Sequence, residues 1–211
     1  MTIVSVRTVL RRISKLYPPI RTSLDFLTPF QLLVATILSA QCTDVRVNQV
    51  TKKLFGKYKT PEDFAGAYLP DLKKVIRPTG FYNLKAARIR NSSRLIVDKF
   101  GSQLPSTMTD LLELDGVGRK TANVLLSAVF NKQEGIAVDT HVSRLSRRLN
   151  WTVSSNPEII ERDLMRIVSR RNWGRISMLL ILHGRAVCQS RRPRCDKCVL
   201  NDVCPSAYKI N

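Results

Sequence analysis

Cys188, Cys195, Cys198 and Cys204 stand in the pattern C-x6-C-x2-C-x5-C, four soft ligands crowded into one short stretch near the C-terminus. Thiolates so close together suit a structural zinc or an iron–sulfur cluster, and the spacing alone leaves both open, since it matches neither ferredoxin pattern. Arg191, Arg192, Arg194 and Lys197 lie in the same stretch. Wrapping it around a metal would present a basic surface to phosphate; a solvated charge run is the plain alternative. A second constellation runs from Leu111 to Ala122, LLELDGVGRKTA, with Gly116 and Gly118 one residue apart. That spacing permits a tight turn whose N–H groups, with those opening the next helix, converge on a phosphate oxygen. Such a turn holds a nucleic-acid backbone without reading bases. Apolar Leu114 before it, and Arg119 and Lys120 after it, favour the phosphate reading over a mere bend.

Lys120 and Asp139 are the titratable groups with catalytic potential. A lysine at its ordinary pKa of about 10.4 is protonated at neutral pH, so a nucleophilic one needs desolvation or nearby positive charge. The first turn of the helix after the glycines supplies a positive helix end, and Arg119 acts in the same direction. On the residues alone, a phosphate contact is the simpler reading of Lys120. Asp139 stands where it would cap the helix carrying Val142 and Leu145, and on its own it is most simply an N-cap. A carboxylate held there stays ionised, and could also stabilise positive charge or take a proton from Lys120. His141 reads as an orienting or core histidine. His183, on an apolar helix, reads as core, and Cys42, at an apolar helix end, as an inert thiol.

The whole chain favours a polyanionic partner. Its 211 residues are enough to bury a core without disulfides, and 35 Lys plus Arg against 16 Asp plus Glu give a formal charge of +19. That is more than solubility requires. No apolar run reaches the roughly 18 to 20 residues that span a bilayer, and the N-terminus lacks the apolar core of a signal peptide. The expected location is therefore the compartment of synthesis, the cytoplasm and nucleoid if the source is prokaryotic, with no membrane partner. Five cysteines in a reducing compartment read as a metal site plus one thiol.

The elements that must position these groups are helices. Ile3, Val6, Leu10, Ile13 and Leu16 share one face, and Pro18-Pro19 stops the first helix. Thr28-Pro29, with Gln31 following, has the form of a capping box with Pro at the first helical position. The helix it opens, through Phe30, Leu33, Val34, Ile37 and Leu38, is apolar on most sides. Val47 to Tyr58 marks a third helix, Thr60-Pro61-Glu62-Asp63 opens a short fourth, and Pro70 to Ile76 forms another before Pro78-Thr79-Gly80 breaks it. A long helix spans Phe81 to Phe100 and stops at Gly101. Two short helical stretches flank the glycine turn. Asp139 opens a further helix, Asn156-Pro157-Glu158 another, and one from about Trp173 leads into the cysteines. The predicted class is all-α, in about ten helices, without strands.

The segment Leu114–Val124, LDGVGRKTANV, resembles the helix-hairpin-helix signature of the endonuclease III family, and Val138-Asp139-Thr140-His141-Val142 resembles the acidic element that follows it there. Leu38-Ser39-Ala40-Gln41 and Gly80-Phe81-Tyr82-Asn83 are similar to two further stretches of the family, and the final cysteines match its cluster loop. The resemblance runs from about Thr28 to Cys204. It implies two helical lobes with DNA in the cleft between them: a six-helix lobe of residues 21–132 with the hairpin at about 107–130, and a lobe of residues 1–20 plus 133–211 with the cluster loop at 188–204. Lys120 and Asp139 would face each other across the cleft. It also implies a monomeric DNA glycosylase and abasic-site lyase acting on double-stranded DNA that holds damaged pyrimidines or abasic sites. Lys120 would be the nucleophile that forms a Schiff base, and Asp139 its acidic partner. Gly116, Val117, Gly118, Arg119 and His141 would contact DNA, Gln41 and Phe81 would fill the gap left by the expelled base, and the four cysteines would bind a [4Fe-4S] cluster.

Within the family, adenine-excising members depend on an acidic residue in the first buried helix, and Pro29–Gln41 contains no Asp or Glu. Mismatch-thymine members lack the lysine. Lys120 together with Ile37 therefore implies the bifunctional branch, whose substrates are oxidised or ring-saturated pyrimidines. Phe81 departs from the aliphatic wedge equally familiar at its position, which bears on base preference. Two other classes fit the residues without the resemblance: a non-catalytic DNA-binding module anchored by the hairpin, and a zinc-stabilised RNA-binding protein. Neither would cut a strand.

Overall fold

The computed structural model describes residues 3–17 and 22–210. Among the described residues the regular structure is all helical, with no strand. The α-helices are α1 (Val6–Ile13), α2 (Pro29–Ser39), α3 (Asp44–Lys57), α4 (Pro61–Ala65), α5 (Leu69–Ile76), α6 (Tyr82–Phe100), α7 (Met108–Leu112), α8 (Arg119–Val129), α9 (Thr140–Arg148), α10 (Pro157–Ile167) and α11 (Trp173–Ala186). They divide into two units, Ser23–Phe130 and Met1–Thr22 with Asn131–Asn211.

In the Ser23–Phe130 unit, α2 is the central element. Leu32, Leu33, Val34, Ala35, Ile37 and Leu38 are all buried, as an apolar helix without a polar face requires. Around it pack Leu54 of α3, Phe64 of α4, Leu72 and Ile76 of α5, Ile89 and Ile96 of α6, and Leu125 and Leu126 of α8. Burying each such side chain contributes roughly 1.5 to 3 kcal/mol. Threonines cap α2, α3, α4 and α7 through Thr28, Thr43, Thr60 and Thr107, each accepting from the third residue of its helix. Thr60 and Asp63 form a complete reciprocal box. At α2 the box is displaced by one residue: Gln31 Oε1 accepts from Leu27 N at 2.8 Å instead of from the cap residue. The unit holds α2 through α8, seven helices where six are expected, with the five-residue α4 and α7 each counted.

The other unit is built on α1, α9, α10 and α11. Val9, Ile13, Val142, Ile160, Leu164, Ile176 and Leu180 are fully enclosed. Its N-terminal segment is tied in by Trp151 Nε1, which donates to Val4 O at 2.7 Å, and by Arg12 Nη1, which donates to Val199 O at 3.0 Å. The first helix is shorter than its apolar spacing predicts. Ile3 and Leu16 lie outside it and are exposed, while Val4 and Val9 take the buried places. Hydrogen bonds to Leu149 and Trp151 tie Val4 outside the helix, and Ser5, in extended backbone, is its N-cap, so the helical period begins only after Ser5. The expected stop at Pro18-Pro19 lies outside the described residues.

Candidate functional site

The glycine turn is a hairpin between α7 and α8. Gly116 has φ +83, and a Cβ there would lie 2.9 Å from Arg88 Cδ, so conformation and crowding both require glycine. Gly118 differs. It is the N-cap of α8 in extended backbone, and a Cβ there would meet nothing within 4 Å. Having no side chain, it cannot cap α8, so the cap position makes no side-chain hydrogen bond to the first turn. Val117 is buried beneath the turn and donates to Leu114 O at 3.0 Å. One face of α6 supports the turn from behind. Ser92 Oγ donates to Asp115 O at 2.8 Å, Asn91 Nδ2 donates to Asp115 Oδ2 at 3.1 Å, and Arg88 lies 3.6 Å from Asp115 Oδ1. Arg119 and Lys120 open α8, and both are exposed. Lys120 is thus at the positive end of a helix, but the free protein does not bury it.

Gln41 and Phe81 sit on two turns of the same unit. Both hold left-handed backbone, at φ 54 and φ 47, a conformation that is strained for non-glycine residues and an outlier for an aromatic one. Phe81 is 62% exposed, so its ring is not core packing. Between the two turns lies a residue that sequence reasoning missed. Lys85 is buried, and its Nζ donates to Leu38 O at 2.7 Å and to Thr79 O at 2.8 Å. The signal was present: Lys85 precedes Ile89 by four residues and Ala86 by one, and so falls on the buried face of α6.

In the other unit Asp139 is the N-cap of α9. Its Oδ1 accepts from His141 N and Val142 N, both at 2.8 Å, and His141 Nδ1 lies 3.0 Å from Oδ2. His141 therefore orients the carboxylate. The ring is held against α11 at Gly184, where a Cβ would come within 3.0 Å of His141 Cδ2 and of Arg144 Nη2. A side chain at 184 would make the His141 ring and the Arg144 guanidinium give way by a few tenths of an ångström.

All four C-terminal cysteines are free of disulfides and line one cavity, together with Arg148, Arg194 and Asn201. Among the described residues no three His, Cys, Asp or Glu side chains gather closely enough to hold a single metal ion. Nitrogen donors point at three of them. Arg148 Nη1 is 3.1 Å from Cys188 Sγ, His183 Nε2 is 3.3 Å from Cys198 Sγ, and Tyr208 N is 3.5 Å from Cys195 Sγ. His183 is buried as expected, but it is also a cavity ligand's neighbour. Burial lowers its pKa to about 4. Its ring is neutral and lies between Tyr17 Oη, 3.3 Å from Nδ1, and the Cys198 sulfur on the Nε2 side. Burial raises the Cys198 thiol to about 11 and raises that of Cys204 as well, with the neighbouring cysteines adding to both. Four cysteines around one cavity, with nitrogen atoms of Arg148, His183 and Tyr208 close to three of the sulfurs, are a donor set that fits an iron–sulfur cluster chemically. Arg191, Arg192 and Lys197 of the same loop are exposed.

Residues 34–170 match the HhH-GPD superfamily of base excision DNA repair proteins. The chain belongs to that family. It is 48% identical over 199 residues to an endonuclease III of Synechocystis sp., covering 94% of this chain and 91% of the relative. To an endonuclease III of Bacillus subtilis it is 42% identical over 203 residues, covering 95% and 91%. Among solved structures, a non-covalent endonuclease III–DNA complex superposes with a TM-score of 0.91 at 39% identity, over 97% of this chain and 95% of that one. A trapped endonuclease III–DNA covalent intermediate matches equally, at 0.91 and 39%, over 97% and 96%. A thermostable thymine-DNA glycosylase, at 23% identity and a TM-score of 0.83, shares the fold. Among the described residues no helix is long and apolar enough to cross a membrane.

The two glycines separate folding from binding. Gly118→Ala is expected to leave the thermal midpoint within about 2 °C, because no atom is in its way, yet to weaken DNA binding by about three- to tenfold, the worth of one phosphate hydrogen bond. Gly116→Ala should lower the midpoint as well. Calorimetry and a salt titration of duplex binding check both; unaltered binding by Gly118→Ala would remove the hairpin N-terminus as a phosphate site.

Proposed function

We propose that Lys120 and Asp139 carry the chemistry of this base excision DNA glycosylase and lyase, and that its substrates are oxidised or ring-saturated pyrimidines and abasic sites in duplex DNA. The carrying observation is the composed hairpin, with an uncapped helix N-terminus at Gly118 and Lys120 in the first turn after it. The relatives add that an endonuclease III has been trapped covalently on DNA. In this reading the phosphate held by the turn brings the strand to Lys120, and the approaching DNA strips water from the amine. The Lys120 nitrogen attacks C1′, the bond from C1′ to the base breaks, and the base leaves with the bonding electrons and takes up a proton. Ring opening gives an imine between Lys120 and C1′. Loss of a C2′ proton then expels the 3′ phosphate, cutting the strand, and water hydrolyses the imine to release the enzyme. Asp139, held by two main-chain donors and His141, stabilises positive charge on the sugar or takes the amine proton.

Cys188, Cys195, Cys198 and Cys204 would hold a [4Fe-4S] cluster, supported by their common cavity and by the spacing shared with the endonuclease III family. When bound, the cluster supplies a fixed cross-link for the loop. Arg191, Arg192 and Lys197 are then presented to phosphate, and Arg148 and His183 hold the sulfurs in place. Gln41 and Phe81 would enter the stack as the damaged nucleotide swings out, the amide bonding the orphaned base and the ring stacking in the gap. Stacking of this kind is worth roughly 1 to 3 kcal/mol per base.

Three outcomes are expected. Borohydride should fix the protein to an abasic oligonucleotide, whereas Lys120→Gln should bind the duplex and give no adduct; undiminished trapping would assign the imine to another amine. Asp139→Asn keeps the cap, since Asn and Asp rank together at that position, so its stability should change by less than about 0.5 kcal/mol. Its turnover should nonetheless fall about a hundredfold or more, and near-normal turnover would reduce Asp139 to a cap. Protein purified without oxygen should be brown and contain about four irons, with Cys198→Ser losing them. Stoichiometric zinc without visible absorption would replace the cluster by a structural zinc.

A further inference from the structure

A buried lysine normally has a carboxylate beside it. Lys85, 2% exposed, has instead two neutral main-chain acceptors, Leu38 O at 2.7 Å and Thr79 O at 2.8 Å. Each acceptor ends an element. Leu38 is the penultimate residue of α2, where carbonyls lack helical partners and the helix dipole favours a cation. Thr79 closes the 3-10 turn Arg77–Thr79, is itself buried, and donates through Oγ1 to Ile76 O at 2.8 Å. Three residues beyond Leu38 stands Gln41, and two beyond Thr79 stands Phe81, both in left-handed backbone. Burial lowers the pKa of the ammonium, with Cys42 opposing the shift, so the protein bears a cost to keep this group inside.

We propose that Lys85 is a positioning residue for base expulsion: its ammonium locks the end of α2 to the turn before α6, and so holds Gln41 and Phe81 at one separation as a pair. The inference rests on the reading of those two residues as the wedge. Left-handed backbone at a glutamine and a phenylalanine is strained, and strain persists only where surrounding structure over-determines it. The two carbonyl bonds of Lys85 are that constraint. Without them each turn is free to relax separately, and the wedge loses its preorganisation before DNA arrives.

The test uses the full-length protein with its metal in place. Lys85→Met removes both donors while keeping the stem, Lys85→Gln covers the case in which the methionine variant fails to fold, and Lys85→Arg, whose fork can bond both carbonyls, is the rescue. On a duplex with a damaged pyrimidine, Lys85→Met should slow base release by about tenfold, one loss of the kind a mispositioned stacking group produces. Strand cleavage at a pre-formed abasic site should stay within about twofold, because no base remains to be expelled. Lys85→Arg should recover most of the first rate. In a Lys120→Gln background, the fluorescence rise of 2-aminopurine placed beside the lesion should shrink with Lys85→Met, which a loss of stability alone would not cause. Because Lys85 acts through the wedge, adding it to Phe81→Ala and Gln41→Ala together should slow release no further. Full additivity, or equal losses on both substrates, would overturn the clamp while leaving the wedge standing. If Phe81→Ala and Gln41→Ala spare base release, the wedge reading fails first and the clamp goes with it.

Discussion

An all-helical chain leaves the first N–H groups and last C=O groups of every helix without internal partners, and each must be met by a side chain, water or ligand. In this protein that constraint decides where chemistry can happen. Asp139 meets it at the start of α9 and thereby becomes a fixed, doubly bonded carboxylate. Gly118, with no side chain, provides no cap at the start of α8, next to Lys120. Lys85 meets it at the end of α2 from inside the core. Cys188 follows the end of α11 directly, with its main-chain N–H bonded back to His183 O at 2.8 Å. The groups to which chemistry is assigned are therefore the ends of elements, not their faces.

α6 connects most of these ends within the Ser23–Phe130 unit. Phe81 is its N-cap, Lys85 lies one turn on, and Arg88, Asn91 and Ser92 buttress the glycine hairpin through Asp115. One helix thus carries the exposed aromatic ring, the buried ammonium and the support for the glycine turn, with Ile89 and Ile96 anchoring its inner face. Interiors packed this closely transmit small displacements instead of absorbing them. That makes α6 the means by which the glycine turn and the turns at Gln41 and Phe81 keep a constant separation.

The other unit shows the same economy around sulfur. α9 provides Asp139 at its N-terminus, and on its last turns Arg144 and Arg148. Arg144 donates to Gly184 O and Cys188 O, and Arg148 to the Cys188 sulfur and the carbonyls of Gln189 and Ser190. Gly184 lets α9 and α11 approach closely enough for His141 and Arg144 to pass. The carboxylate and the cysteine cavity are consequently held by the two ends of one nine-residue helix, although they serve different purposes.

Helix periods, the caps at Thr28, Thr60, Asp139 and Asn156, the glycine spacing and the cysteine spacing are local, and the sequence by itself determined them: α2, α4, α5, α6, α9 and α10 begin within about a residue of where those caps, Pro70 and Phe81 predict, and α6 stops at Gly101. The all-α class followed from the same signals, and the resemblance of four ordered motifs already pointed to DNA base excision. What the sequence did not disclose depends on contacts between residues far apart in the chain. Val4 is pulled out of the first helix by Trp151, which no helical period records. Lys85 reads as one more cation in a +19 chain until Leu38 O, 47 residues away, is seen to accept from it. His183 reads as core, and only the folded loop brings Cys198 Sγ to its ring. The difference between Gly116 and Gly118 was likewise invisible in a G-x-G pattern, because it lies in whether Arg88 stands behind the residue or open space does. Local rules of hydrogen bonding and apolar period can be read from neighbours in sequence, whereas burial of a charge, strain at an αL residue and access to a helix end are settled only once the helices have packed.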